Sequence, residues 1–325
     1  LEASGGSWEY DGKAHAAEAK VKGAEGYTVY YKVGDGEWTT EAPDVTNVSE
    51  GTRTVSVKAT REGYQDLTAA DVTIQITAKD ITITVDNSSK YFDEKDPVFT
   101  GKVDGLIAKD DLGEVSYIRT NTDEAVGIYA DVLNVEYQAN SNYKVTVEPG
   151  DFEIKTAKTE GAYVEAAGGS WTYDGKAHKA SAAVKGAEGY TVYYKVGQGE
   201  WTESIPSVTN VSEGIKTVSV KATRTGYEDL RAEDVTIAIQ PKPVTITVEN
   251  SWKYFDAEDP AFSGTAEDLV KAGDLGEISF RRTNTDEAVG IYADVLTADY
   301  EANSNYKVTI DKGDFEIKTA SIEGA

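Results

Sequence analysis

Val55, Val57 and Ala59 alternate along the chain with Thr54, Ser56, Lys58 and Thr60, and Val72, Ile74 and Ile76 alternate with Thr73, Gln75 and Thr77. Apolar residues at every second position, most of them β-branched, describe strands with one buried face. Tyr27, Val29, Tyr31 and Val33 form another such row, and Gly34-Asp35-Gly36 then turns the chain into Glu37-Trp38, as in a hairpin. Ile81, Ile83 and Val85 continue the pattern, followed later by Tyr143, Val145 and Val147 and by Phe152 and Ile154. Residues Asp104 to Val115 have room for one short helical turn, but no segment sustains a 3.6-residue period, so no long helix is expected. The pattern predicts an all-β protein.

The pattern occurs twice. Trp8 and Trp171, Trp38 and Trp201, Pro97 and Pro260, and Phe152 and Phe315 are all 163 residues apart, and residues 5–157 differ from 168–320 at 44 of 153 positions without a gap. Two long stretches are identical: VKGAEGYTVYYKVG from Val21 and Val184, and RTNTDEAVGIYADVL from Arg119 and Arg282. Recent duplication accounts for such runs, and a retained contact surface is the alternative. As one loop and one strand, the second run would have Asn121 to Glu124 solvated and either Ile128 or Tyr129 facing inward.

The texture of each copy changes midway, which predicts four small modules as two copies of an AB pair: residues 1–78 and 158–241 (A), 79–157 and 242–325 (B). The joins are short, Pro241 and Pro243 stiffen one of them, and Gly161, Gly168 and Gly169 suggest give near the middle. Four modules so joined predict a monomeric rod, on the order of 120–160 Å long from strands of about 7–10 residues.

Charge narrows the function classes. The chain has 32 basic and 57 acidic residues, net −25, a field that disfavours nucleic acid and anionic lipid. No apolar run approaches the ~20 residues of a membrane-spanning helix. Without cysteine there are no disulfides, thiolate nucleophiles or Cys-ligated zinc, and a disulfide-free extracellular chain leans bacterial. The lack of methionine, initiator included, reads as a segment of something longer.

KYFDEKDPVFTG from Lys90, followed by VGIYADV and NYKVTVEPGDFEI, resembles the MBG domains (YGX type) of bacterial extracellular proteins, with Phe92 and Phe255 where that family usually has glycine. WEYDGKAH and TNVSEGTRTVSVKA are similar to Ig-like repeats of Gram-positive surface proteins. The resemblance implies small sandwich or β-grasp-like modules in an adhesin or stalk, exported to the cell surface and anchored by other regions.

Candidate chemistry is sparse. His15 and His178 are the only histidines and occupy equivalent positions, too few for a catalytic dyad or a multi-histidine metal site. Modules of this size rarely enclose a pocket for paired carboxylates, and no enzyme is expected. Asp93, Glu94 and Asp96, with Asp256, Glu258 and Asp259, form the densest acidic loops; Ca²⁺ is the ion such loops would take, but no calcium-loop spacing supports it and no cofactor is expected. An internal lysine–asparagine isopeptide bond is a weak option, since most lysines sit on polar strand faces. Tyr30, Trp38, Tyr193, Trp201 and Trp252 are the candidate ligand-binding aromatics. They give a stalk reading its alternative: a module recognising host glycan or glycoprotein.

Overall fold

The computed structural model describes residues 1–321; residues 322–325, the end of the second B module as delimited from the sequence, lie outside the described residues. The chain forms two compact units, Leu1–Ala157 and a second beginning at Lys158. Every regular element among the described residues is a strand, apart from the 3₁₀ turns Val48–Glu50 and Val211–Glu213. Residues 104–115, where a helical turn had room, hold consecutive hydrogen-bonded turns instead, Asp111 N–H donating to Ala108 and Gly113 N–H to Asp110.

In the first unit, module A is built on a five-stranded sheet. Gly6–Glu9 lies parallel to Val72–Thr77, which pairs antiparallel with Arg53–Thr60, which in turn pairs with Thr28–Val33 and Leu67–Thr68. The alternation seen in the sequence sets the inner face: Val55, Val57, Ala59, Ile74 and Ile76 are buried. Two short ribbons, Glu2–Ser4 with Glu18–Lys20 and His15–Ala16 with Asp44–Val45, close over that face.

Module B is a sandwich, which settles one of the two arrangements left open by its sequence. A three-stranded sheet (Gly101–Asp104, Lys79–Val85, Tyr143–Glu148) faces a four-stranded one (Ser88–Tyr91, Gly150–Lys155, Gly127–Glu136, Ser116–Arg119). Ile81, Ile83, Val85, Leu133, Phe152 and Ile154 fill the space between them. Two neighbouring parallel strands pass from one sheet to the other side by side, the chain crossing at Asp86–Asn87 and again before Gly150. A Cβ on Gly150 would lie 2.8 Å from the carbonyl oxygens of both Val85 and Asp86, closer than a carbon can approach. Glycine is needed where the crossing strands touch, and Gly313 meets the same obstruction.

The second unit repeats this plan with its own five-, three- and four-stranded sheets. Pro243 sits at the start of Lys242–Val248, in parallel register with Lys307 and ahead of the stretch paired with Gly264–Ala266; no ladder donor is lost there. Gly168 and Gly169, read as flexible from the sequence, are tightly packed. A Cβ on Gly168 would meet the Thr236 oxygen at 2.1 Å and one on Gly169 the Trp171 ring at 2.7 Å.

Within each unit the A and B modules are locked together. Asn142, buried, accepts a hydrogen bond from Val48 N–H through Oδ1 (2.8 Å) and donates from Nδ2 to Asn47 Oδ1 (2.9 Å), while its carbonyl takes Lys79 N–H (2.9 Å). One side chain thus caps the 3₁₀ turn of module A from module B. Beside it the Tyr10 and Tyr143 rings meet edge to face at 5.4 Å, and burial with the bond to Asp111 pushes the Tyr143 hydroxyl up to about 12. Asn305 makes the same contacts to Val211 and Asn210 in the second unit.

Replacing Asn142 by alanine leaves the Val48 amide and the Asn47 side chain without their partner. The expected cost is about 1–3 kcal/mol. Amide exchange should accelerate at Val48 while Val55, in the sheet centre, keeps its protection; equal acceleration at both would mean that Asn142 does not act at the joint.

The equivalent turn of the second unit, Val211–Glu213, carries a pH dependence. Glu213 accepts from Lys216 Nζ (2.7 Å) and from the Thr209 and Asn210 amides, which hold its carboxyl down at about 2 against an ordinary 4.5. A depressed carboxylate stabilises the fold fully above its unfolded value and loses that contribution as the pH falls through its folded one. Between about pH 4.5 and about pH 2, Glu213→Gln should therefore lose less stability than the parent in urea titrations. Parallel losses would remove Glu213 from the acid response.

Candidate functional site

Three clusters bring the candidate residues together, and each appears in both units. The first lies on the outer face of the five-stranded sheet. Alternation along Thr28–Val33 sends Tyr31 inward, where it is buried, and Tyr30 outward. The Gly34–Gly36 turn, closed by Gly36 N–H donating to Val33, brings Trp38 back over that outer face beside the Tyr31–Thr39 bridge. Trp38 packs across the hairpin under two ammonium groups, Lys58 Nζ at 4.6 Å and Lys32 Nζ at 5.5 Å from its ring centroid; Lys58 also lies 5.8 Å from Tyr30. In the copy, Lys221 and Lys195 lie 5.1 and 5.3 Å from Trp201, and Lys221 6.0 Å from Tyr193. The lysines were not singled out in the sequence; cross-strand register would have found them, since Tyr30 pairs with Lys58.

Trp252 does not join this arrangement. It stands on Ser251–Tyr254, an edge strand of the second B module, stacked edge-on against Tyr254 (5.2 Å) with Lys318 Nζ 4.0 Å over its ring.

The second cluster explains the acidic loops. Lys90, only 6% exposed, points between the sheets of module B, and the Arg119 guanidinium lies 4.8 Å over the Phe152 ring. Asp96 pairs with Lys90 (2.8 Å) and Arg119 (3.0 Å), and Glu124 pairs with the same two cations. Burial pulls the Lys90 ammonium down, but the two carboxylates outweigh it and leave it raised; the bond from Lys90, followed by that from Arg119, holds Glu124 below its ordinary range. Lys253, Arg282, Asp259 and Glu287 repeat the cluster. Lysine is thus not confined to polar strand faces, and the groups around Lys90 are carboxylates and a guanidinium.

Asn121 to Glu124 is a solvated loop, as expected, with the Glu124 side chain 56% exposed, and it is also held in place. Arg119 donates to Asn121 Oδ1 (2.7 Å) and to the Asp123 carbonyl, and Glu124 pairs with Lys90. The remaining acidic candidates serve turns: Asp93 and Asp256 adopt left-handed backbone (φ 64° and 63°), and Glu94 accepts from Tyr91 N–H at 3.1 Å. Phe92 is not the left-handed residue; it packs on the core while Asp93 turns the chain. Glu258 forms no such cluster, and among the described residues no group of three or more His, Asp or Glu side chains is arranged to hold a metal ion.

The third cluster contains the histidines. His15 stacks on Trp8 at 4.9 Å and its Nε2 lies 3.0 Å from Asp11 Oδ1; His178, Trp171 and Asp174 match at 4.8 and 3.0 Å. The Lys13 amide, then the His15 ring, hold the Asp11 carboxyl below its ordinary value. These contacts pin the start of module A.

The fold and these clusters define a tandem-repeat β protein whose polar clusters are built into its modules. Residues 81–153 and 244–316 each match the family model of the MBG domain (YGX type), so both B modules are MBG domains. No curated protein matches the chain. Among solved structures, extracellular domains 3–5 of Drosophila OTK are similar at 9% identity and a TM-score of 0.27, covering 73% of this chain and 94% of that one. Drosophila N-cadherin EC1-3 is similar at 14% identity and a TM-score of 0.25, covering 72% and 96%. Similarity at these scores carries no argument about arrangement or ligand.

Proposed function

We propose that this chain is a non-catalytic repeat region of a bacterial surface protein, working as a stalk that holds an adhesive part away from the cell. The observation that carries this reading is the A–B joint. In both units one buried asparagine bridges the modules through side chain and backbone, and in the first a single apolar cluster runs from Tyr10 in module A to Ile154 in module B. A spacer needs such stiffness, because a joint that bends freely cannot hold its tip at a distance. The MBG modules and the disulfide-free composition support an extracellular bacterial setting. Small-angle scattering tests the stalk: its radius of gyration should lie well above the ~20 Å of a compact chain this long. A value near that figure overturns it.

A further inference from the structure

The acidic residues of this chain are unevenly placed. Of 57 in all, the first five-stranded sheet holds only Glu9, and Glu9 pairs with Lys79. The second, formed by Gly169–Thr172, Thr191–Val196, Lys216–Thr223, Leu230–Arg231 and Val235–Gln240, holds none. The outer faces of these two sheets are thus islands of hydroxyl, aromatic and ammonium groups on a chain of net charge −25. Lys32 and Lys58 have no carboxylate within ion-pair distance among the described residues, and neither has Lys195; Lys221 has one, Asp229, at 3.6 Å. Their neighbours are the Trp38, Tyr30, Trp201 and Tyr193 rings.

An aromatic face holds an ammonium in place without neutralising it. The first face therefore presents two positioned positive charges whose ordering cost is met before any ligand arrives, and the second presents Lys195 together with Lys221, which shares its charge with Asp229 at 3.6 Å. We propose that the outer face of each A-module sheet binds an acidic polysaccharide carrying about one carboxylate per disaccharide, its carboxylates pairing with the two lysines. The exposed part of Trp38 or Trp201 would cover an apolar sugar face, and Ser56 and Thr60, outward on the neighbouring strand, offer hydroxyls to the sugar. The face is a sheet rather than a pocket, which suits a chain laid across it. Denser polyanions such as nucleic acid meet the repulsion of the whole molecule, whereas a sparsely charged glycan meets less. The duplication supplies two related sites on one chain, the second weakened by the Lys221–Asp229 pair. The inference does not depend on the stalk reading: a compact chain would carry the same two faces.

The test is calorimetric titration of the whole protein with a hyaluronan oligosaccharide, against a neutral N-acetylglucosamine oligomer of equal length and a single-stranded oligonucleotide. Binding of hyaluronan at two sites, weakened by salt, with no response to the neutral sugar, is expected. Lys32→Gln with Lys58→Gln should remove one of the two sites, adding Lys195→Gln with Lys221→Gln should remove the other, and lysine→arginine at all four should keep both. Trp38→Ala should weaken its own site by about tenfold or more. Circular dichroism and melting curves of each variant confirm folding, and since all these residues face outward, folded variants are expected. The proposal is overturned if hyaluronan does not bind, if the neutral oligomer binds as well, if the oligonucleotide binds more tightly, or if folded lysine→glutamine variants bind like the parent.

Discussion

Ile74→Asp is expected to destabilise the first unit by about 4 kcal/mol or more, and Thr73→Asp by about 0.5 kcal/mol or less. The two positions are adjacent on Val72–Thr77, yet Ile74 is 0% exposed and Thr73 is exposed. Ile74 sits between Gly6 on one neighbouring strand and Arg53 on the other, so a carboxylate there has no water within reach. It must either ionise without a partner or fold protonated, and both cost free energy. Denaturant titration with a resolved transition for each unit measures the difference, and Ile237→Asp should give the same result in the second unit, where Ile237 is also 0% exposed. Equal costs at positions 73 and 74 would contradict the register.

Removing Asp96 and Glu124 together should cost about 3–5 kcal/mol, the range seen when a buried charge loses its partner. The Lys90 and Arg119 side chains are each 4% exposed, and these two carboxylates are their shared counter-ions. Either single substitution leaves one anion bridging both cations and should cost less than half as much. Asp123→Ala, which keeps the carbonyl that Arg119 uses, should stay within about 0.5 kcal/mol. Adding Lys90→Met to the double variant should restore part of the loss, because it removes one stranded cation and leaves an apolar chain in its place. A double variant as stable as the parent would show that water reaches both cations.

How much of this was legible in the sequence follows from what each feature depends on. The inward rows Val55-Val57-Ala59 and Ile81-Ile83-Val85 were readable because strand alternation is local and each strand has one buried face. On the repeated segment, Gly127–Glu136 is a strand with Ile128 outward at 72% exposure and Tyr129 turned in, as period two demands. The Asn121–Glu124 loop was legible as solvated, and it is exposed, but its ion pairs were not: a run of acidic and amide residues carries no local sign of its counter-ions, and Lys90 lies 34 residues from Glu124. Gly168 was misread because the Thr236 carbonyl that excludes a side chain there comes from a strand far along the sequence. The candidate aromatics Tyr30 and Trp38 could be named, but not the lysines above them.

Periodicity and repetition are written along one dimension, and they suffice for the all-β class, the duplication and the faces of the strands. The sequence also carried the MBG resemblance, through short motifs close together in the chain. Sheet packing brings out that Asn142 caps Val48, 94 residues away across a module boundary, that Asp96 and Glu124 neutralise two buried cations, and that the lysines of one sheet face have aromatic rather than acidic neighbours. Each of these joins residues from different strands or modules. Their physical cause is register and sheet packing, which bring together charges and hydrogen-bonding groups that no local pattern relates.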